Sequence, residues 1–442
     1  MMFRSSLLRV LRYSNTCSVF QQNCRERLQN KFRPLDNGLN RLYTSVRDNA
    51  SAINQNVAGF KVDKSTDIIS VQFSDNTETR YPFVWLRDNC RCSECHDKSS
   101  VHRIQLLENL DIDVHPIKTE MHIDGHSIIM QWSDDHKSEY PVNWLKDVKF
   151  PAALDLIDDM DVKYWGSEMT KEKMPRFSFH DVMSDESCLY SWLASLHTYG
   201  FSILDNLGDN DKNLFRLAEK VSYPRQTCYG EDFVVKSNPD PTNLAYTSYR
   251  LCLHTDLPFY KYEPGIQILH CIQSSEHGGS NEFADGFKVA DDLRQKDPDI
   301  YDILSSVHIN FVDEGKDEVA NTPYVLSDWK PIIRLDEKGQ IKQVNFNNHV
   351  RGVQMSVGPE DVKKVYHALA TFNSALYQKD NFTSFKLKEG EAACFNNTRV
   401  LHGRSAFTVP PGSQNPRHLQ GIYIDWDVIY ARMRAIAADK KK

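Results

Sequence analysis

Short apolar runs broken by turn residues dominate this 442-residue chain. IISVQF, YPFVWL, HSIIMQW and YPVNWL crowd into residues 57–150; GFSILDN, GIQILHCI, KQVNFNNHV, GEAACFNN and HLQGIYIDW recur after residue 176. Runs of this length, with β-branched and aromatic residues between turn signals, favour strands. Few segments carry a helical period: DESCLYSWLASLHTYG, which should stop at Gly200, then KVADDLRQKDPDIYDIL, EDVKKVYHALATFNSALYQ and the closing DVIYARMRAIAADKKK. Many strands with few helices must close sheet against sheet, so the expected fold is mainly β with flanking helices, a barrel or jelly roll. Length divides the chain into a small β-rich domain over 57–150 and a larger one over 176–436, with an acidic, broken linker at 151–175. No repeat of fixed period stands out.

Composition excludes several functions. A charged fraction of 26% and a hydrophobic fraction of 40% describe a soluble globular chain. No long apolar run is present, so no membrane span is expected. The net charge of −7 argues against general nucleic-acid binding. That charge is unevenly spread. Residues 1–50 hold nine Lys/Arg and three Asp/Glu, a net of +6 that leaves −13 for the remainder. The opening MMFRSSLLRVLRYSNTCSVF lacks acids and sets Phe3, Leu7, Val10 and Leu11 at helical spacing, as a mitochondrial presequence does. Ten cysteines in a chain this long do not suggest a disulfide scaffold; in a reducing compartment they are thiols or metal ligands.

Two constellations carry chemistry. NCRCSECH sets Cys90, Cys92 and Cys95 within six residues, a soft-donor cluster suited to Zn²⁺. A fourth ligand is needed, and His96, His102, His115, His122 and His136 all compete for it. The second is RLCLHTDLPF. On a strand, His254 and Asp256 point to one face. A His-x-Asp pair is expected by chance in a chain with sixteen histidines, and His122-Ile123-Asp124 before Gly125 reads as a turn. The pair at 254 gains weight from two residues far downstream. His402 lies in VLHGRSAF and Arg417 in NPRHLQGIYIDW. Two imidazoles and one carboxylate form the facial triad of non-haem Fe(II) oxygenases, and an arginine beyond the second histidine can grip a carboxylate through its fork.

VWLRDNCRCSEC, AYTSYRLCLHTD, PGIQILHCI, NFNN, VLHGRSAF and RHLQGIYIDWDVI together resemble the gamma-butyrobetaine dioxygenase and trimethyllysine dioxygenase family of 2-oxoglutarate-dependent oxygenases, across residues 57–436. The resemblance implies a double-stranded β-helix as the catalytic domain. It implies Fe(II) on His254, Asp256 and His402, structural zinc on Cys90, Cys92, Cys95 and His136, and 2-oxoglutarate held by Arg417. O₂ is the co-substrate, ascorbate the reductant, and the assembly a homodimer. Both family substrates carry a trimethylammonium group, which aromatic faces bind. The implied cage is Tyr229, Phe233, Tyr246 and Tyr423; the family pattern has Trp where this chain has Phe233. Asn347 is the implied contact for the substrate carboxylate. Asn243 stands where trimethyllysine enzymes carry Asp, and an amide donates to a carboxylate without repelling it. These features favour gamma-butyrobetaine hydroxylation to L-carnitine, with trimethyllysine 3-hydroxylation as the alternative. The leader points to the mitochondrial matrix, whereas butyrobetaine enzymes are usually cytoplasmic.

Overall fold

The computed structural model describes residues 56–148, 150, 160–236, 247–275, 277–317, 319–408 and 417–440. The basic leader, Asn243 and Tyr246 lie outside the described residues. The chain forms two compact units, residues 1–154 with 438–442, and residues 155–437.

The first unit contains β1 (Val57–Asp63), β2 (Ile68–Phe73), β3 (Glu78–Pro82), α1 (Phe83–Asp88), the short β4 (His96–Asp97) and β5 (His102–Arg103), then β6 (Pro116–Met121), β7 (Ser127–Trp132), β8 (Lys137–Pro141) and α2 (Val142–Asp147). Antiparallel sheets β1-β2-β3 and β6-β7-β8 enclose one core that includes Phe73, Tyr81, Phe83, Trp132 and Tyr140. Contrary to the sequence expectation, this unit holds an internal duplication. The hairpin and helix of β2-β3-α1 recur as β7-β8-α2, with Tyr81, Leu86 and Arg87 matched by Tyr140, Leu145 and Lys146. The bonds are reciprocal. Tyr81 Oη donates to the Leu145 carbonyl, and Tyr140 Oη donates to that of Leu86 at 2.7 Å. Asp75 in one turn pairs with Lys146 at 2.5 Å, and Asp134 in the other pairs with Arg87 at 2.7 Å. The matched Trp85 and Trp144 stack on each other at 5.4 Å. The likeness is already written in YPFVWLRD and YPVNWLKD, but two copies alone establish no repeating period.

The second unit begins with β9 (Arg176–Ser178), α3 (Phe179–Ser184), α4 (Glu186–Thr198), β10 (Phe201–Asp205), α5 (Lys212–Val221), β11 (Asp232–Lys236), β12 (Leu251–His254), β13 (Ile266–Gln273), β14 (His277–Gly278) and β15 (Asn281–Asp285). It continues through α6 (Gly286–Lys296), α7 (Pro298–Ser306), β16 (Ile309–Lys316), β17 (Pro323–Lys330), β18 (Ile333–Leu335), β19 (Ile341–Val344), β20 (Arg351–Met355) and α8 (Pro359–Leu376). It ends with β21 (Phe382–Phe385), β22 (Ala392–Asn396), β23 (Val400–Arg404), β24 (Phe407–Thr408), β25 (His418–Ile424) and α9 (Trp426–Lys440). A six-stranded sheet ordered β11-β25-β13-β22-β10-β9 and a four-stranded sheet ordered β12-β23-β15-β21 form the double-stranded β-helix. Their non-sequential order brings β12 beside β23, which is what joins residue 254 to residue 402.

Pleat alternation decides which side chains enter the barrel. On β13, Ile266 and Ile268 face a helix-packed cluster with Trp192 and Leu217, while Leu269 and Cys271 join an inner cluster with Phe201, Phe283 and Phe395. On β23, Val400 points inward and Leu401 outward. Gly200 ends the α4 connection at φ +68°, a conformation that glycine adopts without strain. The expected single helix through KVADDLRQKDPDIYDIL is broken at Asp297, whose side chain caps α7 ahead of Pro298. The expected linker also differs at its C-terminal part. Trp165 and Met174 are buried in the inner cluster, and Trp165 Nε1 donates to the Tyr199 carbonyl at 2.7 Å. Two isolated anchors in an aperiodic acidic stretch leave no pattern to read.

Candidate active site

His254, Asp256 and His402 converge inside the barrel, their ligand atoms within 4.8 Å of one another. Direct cross-strand pairing of His254 with His402 aligns the two imidazoles, whose rings stand 4.2 Å apart. Asp256 Oδ1 lies 3.2 Å from His254 Nε2 and 3.8 Å from His402 Nε2. Three cis ligands sharing an ion with bonds of 2.0–2.2 Å stand about 3 Å apart, so the donor set fits a metal. Protonation states agree. His254 Nδ1–H donates to the Cys252 carbonyl at 2.7 Å, which aims Nε2 at the shared ligand position. Burial, reinforced by His254, lowers His402 to about 3, so it is a neutral ligand. Burial alone would raise Asp256, but positive charge at the His402 and His254 positions and the Tyr423 hydroxyl hold it well below the usual carboxylate range.

The backbone carrying Asp256 is itself clamped. Asn397, fully buried in the turn between β22 and β23, accepts from the Asp256 N–H at 2.7 Å and donates to its carbonyl at 2.9 Å. The next residue, Leu257, is buried at φ +56°, a strained conformation for a leucine. Nothing in local spacing marks Asn397, because its partner lies 141 residues away in sequence.

Arg417 is 6% exposed, and burial together with Arg404 lowers it to about 10. Among the described residues it has no carboxylate partner; it donates to Asn281 Oδ1 at 3.4 Å. A buried guanidinium in this state calls for an anion, as the distal carboxylate of a 2-oxo acid would provide. Arg404, two residues past His402 and missed in the sequence, donates to the carbonyls of Thr247 and Tyr249. Both guanidinium groups lie against the Phe407 ring, Arg404 at 4.8 Å and Arg417 at 5.8 Å.

The expected cage is brought together in part. Tyr423 donates to Asp256 Oδ2 at 2.7 Å, which turns Oδ1 toward the imidazoles. Phe233 stacks on Tyr423 at 5.0 Å. That spacing leaves no room for a cation between the rings, so the pair forms one wall. Gly421 permits the stack, since a Cβ there would meet the Phe233 ring at 2.1 Å. Tyr229 packs on the same cluster as Phe233 and Tyr423, its hydroxyl on the Asp313 carboxylate that Tyr324 also meets at 3.0 Å. Asn347 is already engaged. Its oxygen caps the His349 N–H at 3.0 Å and its amide donates to the Thr255 carbonyl at 3.2 Å, leaving one N–H for a ligand.

In the first unit, His136 Nε2 lies 3.3 Å from Cys90 Sγ and 3.5 Å from the sulfurs of Cys92 and Cys95. Tetrahedral zinc with bonds of 2.3 Å to sulfur and 2.0–2.1 Å to nitrogen sets S···N at about 3.6 Å. Burial raises the Cys90 and Cys95 thiols, Cys95 to about 12, while at Cys92 burial is outweighed by backbone hydrogen bonds from Glu94 and Cys95, which lower it; a bound cation would favour all three thiolates. Arg87 Nη1 supports Cys95 Sγ at 3.4 Å.

Comparison with known proteins agrees with this architecture. Residues 161–423 match the family "Taurine catabolism dioxygenase TauD, TfdA family", and residues 60–146 match "Gamma-butyrobetaine hydroxylase-like, N-terminal". Gamma-butyrobetaine dioxygenase of Homo sapiens is 35% identical over 84% of this chain and 94% of its own length. The Pseudomonas sp. (strain AK-1) gamma-butyrobetaine dioxygenase is 29% identical over 83% and 92%. The mitochondrial trimethyllysine dioxygenase of Bos taurus is 27% identical over 84% and 86%. The chain therefore belongs to the TauD/TfdA dioxygenase family, within the group that contains the gamma-butyrobetaine and trimethyllysine dioxygenases.

Proposed function

We propose that this dioxygenase hydroxylates gamma-butyrobetaine to L-carnitine. The observation that carries the reading is the inward triad of His254, Asp256 and His402 beside the Phe233–Tyr423 wall. Fe(II) on the triad, with 2-oxoglutarate and O₂, supplies the oxidising power that replaces a substrate C–H by C–OH and yields succinate and CO₂. The chain's own task is placement. Arg417 holds the distal carboxylate of 2-oxoglutarate. Asn397 and Tyr423 fix Asp256 so that one oxygen faces the metal. The aromatic wall receives the onium face. The free N–H of Asn347 and the amide of Asn243 take the substrate carboxylate.

The decisive experiment supplies Fe(II), ascorbate, O₂ and 2-oxoglutarate and offers gamma-butyrobetaine and trimethyllysine side by side. Product mass should report hydroxylated butyrobetaine in excess, and Asn243→Asp should shift the balance toward trimethyllysine. A wild-type preference for trimethyllysine would refute the assignment. The basic leader and the mitochondrial relatives support delivery to the matrix. A reporter carrying residues 1–50 that stayed in the cytoplasm would refute that part. Homodimerisation belongs to the same proposal, and light scattering tests it.

A further inference from the structure

GIQILHCI contains a polar residue that the proposed reaction leaves unused. Gln267 sits on β13 between Ile266 and Ile268, both of which face the helices, and so shares the inner face with Leu269 and Cys271. It is 1% exposed, and its Oε1 is buried with no hydrogen-bond partner among the described residues. Its cross-strand neighbours are Phe395 on β22 and Tyr423 on β25. The Phe395 ring stands 4.9 Å from that of His402, and the Tyr423 hydroxyl bonds Asp256. Side chains opposite one another on paired strands are in contact, so Gln267 lies between residues that touch two of the three triad members.

An unsatisfied buried acceptor costs stability, and leucine or methionine would fill the position without that cost. A carboxylate ligand would need the amide to turn and offer its N–H groups in place of this oxygen. A quaternary ammonium suits it. Such a group has no N–H to donate, but its charge spreads over methyl hydrogens that approach a carbonyl oxygen as C–H···O contacts. The Phe233–Tyr423 wall beside it attracts the same charge. We propose that Gln267 contacts the substrate, its side-chain oxygen facing the N-methyl groups of the onium and completing the wall that Phe233 and Tyr423 begin. This rests on the proposed butyrobetaine hydroxylation and adds a residue that discriminates charge.

The test uses the full-length chain loaded with Mn(II) and 2-oxoglutarate without turnover. Calorimetry measures the Kd of gamma-butyrobetaine and of its uncharged carbon isostere, 5,5-dimethylhexanoate, for wild type, Gln267→Leu and Gln267→Met. The onium Kd should rise about tenfold in both variants, the loss of a contact worth about 1.4 kcal/mol. Binding of the isostere should hold or tighten, and the 2-oxoglutarate Kd should not move. Equal weakening of both ligands, a weakened 2-oxoglutarate Kd, or no change would overturn the proposal. Absence of onium binding by wild type would overturn the functional reading and this inference together. Onium binding that is unaffected by substitution would overturn this inference alone. Melting temperatures show whether each variant is folded, and the methionine variant carries the test if the leucine variant is not.

Discussion

Replacing Asn397 by alanine should cripple metal binding more than it destabilises the fold. Three hydrogen bonds would be lost, to the Asp256 N–H at 2.7 Å, the Asp256 carbonyl at 2.9 Å and the Pro264 carbonyl at 3.2 Å. The side chain is fully buried, so no water readily replaces it. Each buried group left unsatisfied costs about 1–3 kcal/mol, and local relaxation recovers part of the sum, so a net loss of about 3 kcal/mol is reasonable. Two of the three bonds hold the peptide of the residue proposed to bind iron, directly before the strained Leu257. Most of the loss should therefore appear as misplacement of Asp256. At 1.4 kcal/mol per tenfold, 3 kcal/mol weakens metal affinity about 100-fold. The assay is calorimetric titration of metal-free protein with Mn(II) under nitrogen, alongside thermal melts of metal-free wild type and variant. A variant with unchanged metal affinity and a lowered melting temperature would show that Asn397 serves only the barrel and would refute the reasoning.

Three further outcomes are expected from the geometry. Arg417→Met removes the buried cation at the proposed 2-oxo acid site and should raise the KM for 2-oxoglutarate about 100-fold, with the KM for the onium nearly unchanged, in a succinate assay. Gly421→Ala puts a Cβ against the Phe233 ring and should displace it from Tyr423, destabilising the fold by about 1–3 kcal/mol and raising the onium KM; melts and steady-state kinetics report both. Cys95→Ser should abolish zinc binding, measured by elemental analysis, and lower the melting temperature, and a chelator should reproduce the drop in wild type but not in the variant.

The sequence exposes the metal-binding constellations because their chemistry is concentrated. Cys90, Cys92 and Cys95 are close neighbours, and His254 and Asp256 share one strand face. His402 and Arg417 are legible only as an order downstream of His254, since only the β12–β23 pairing brings 402 beside 254. Residues whose role depends on register escaped altogether. Gln267 reads as one more strand residue until Tyr423 is known to lie opposite. Gly421 reads as a flexible point until the Phe233 ring is found over it. Tyr423 was expected as cage alone, and its bond to Asp256 is a tertiary fact. Asn347 was expected to serve substrate, yet two of its polar contacts are spent on the chain itself.

The duplicated hairpins of the first unit behave like an isologous dimer written into one chain. Each copy lends its tyrosine and its acid to the other, so the polar groups of one are satisfied only by its twin. Tethering makes the encounter intramolecular, and this embrace should not dissociate on dilution. Symmetry also leaves one turn redundant. Where the first copy keeps Thr77, the second carries His136, and the thiols that come after α1 face that imidazole. A bound zinc ion would then act as a rivet between tandem copies, placed where only one of two equivalent corners had to change.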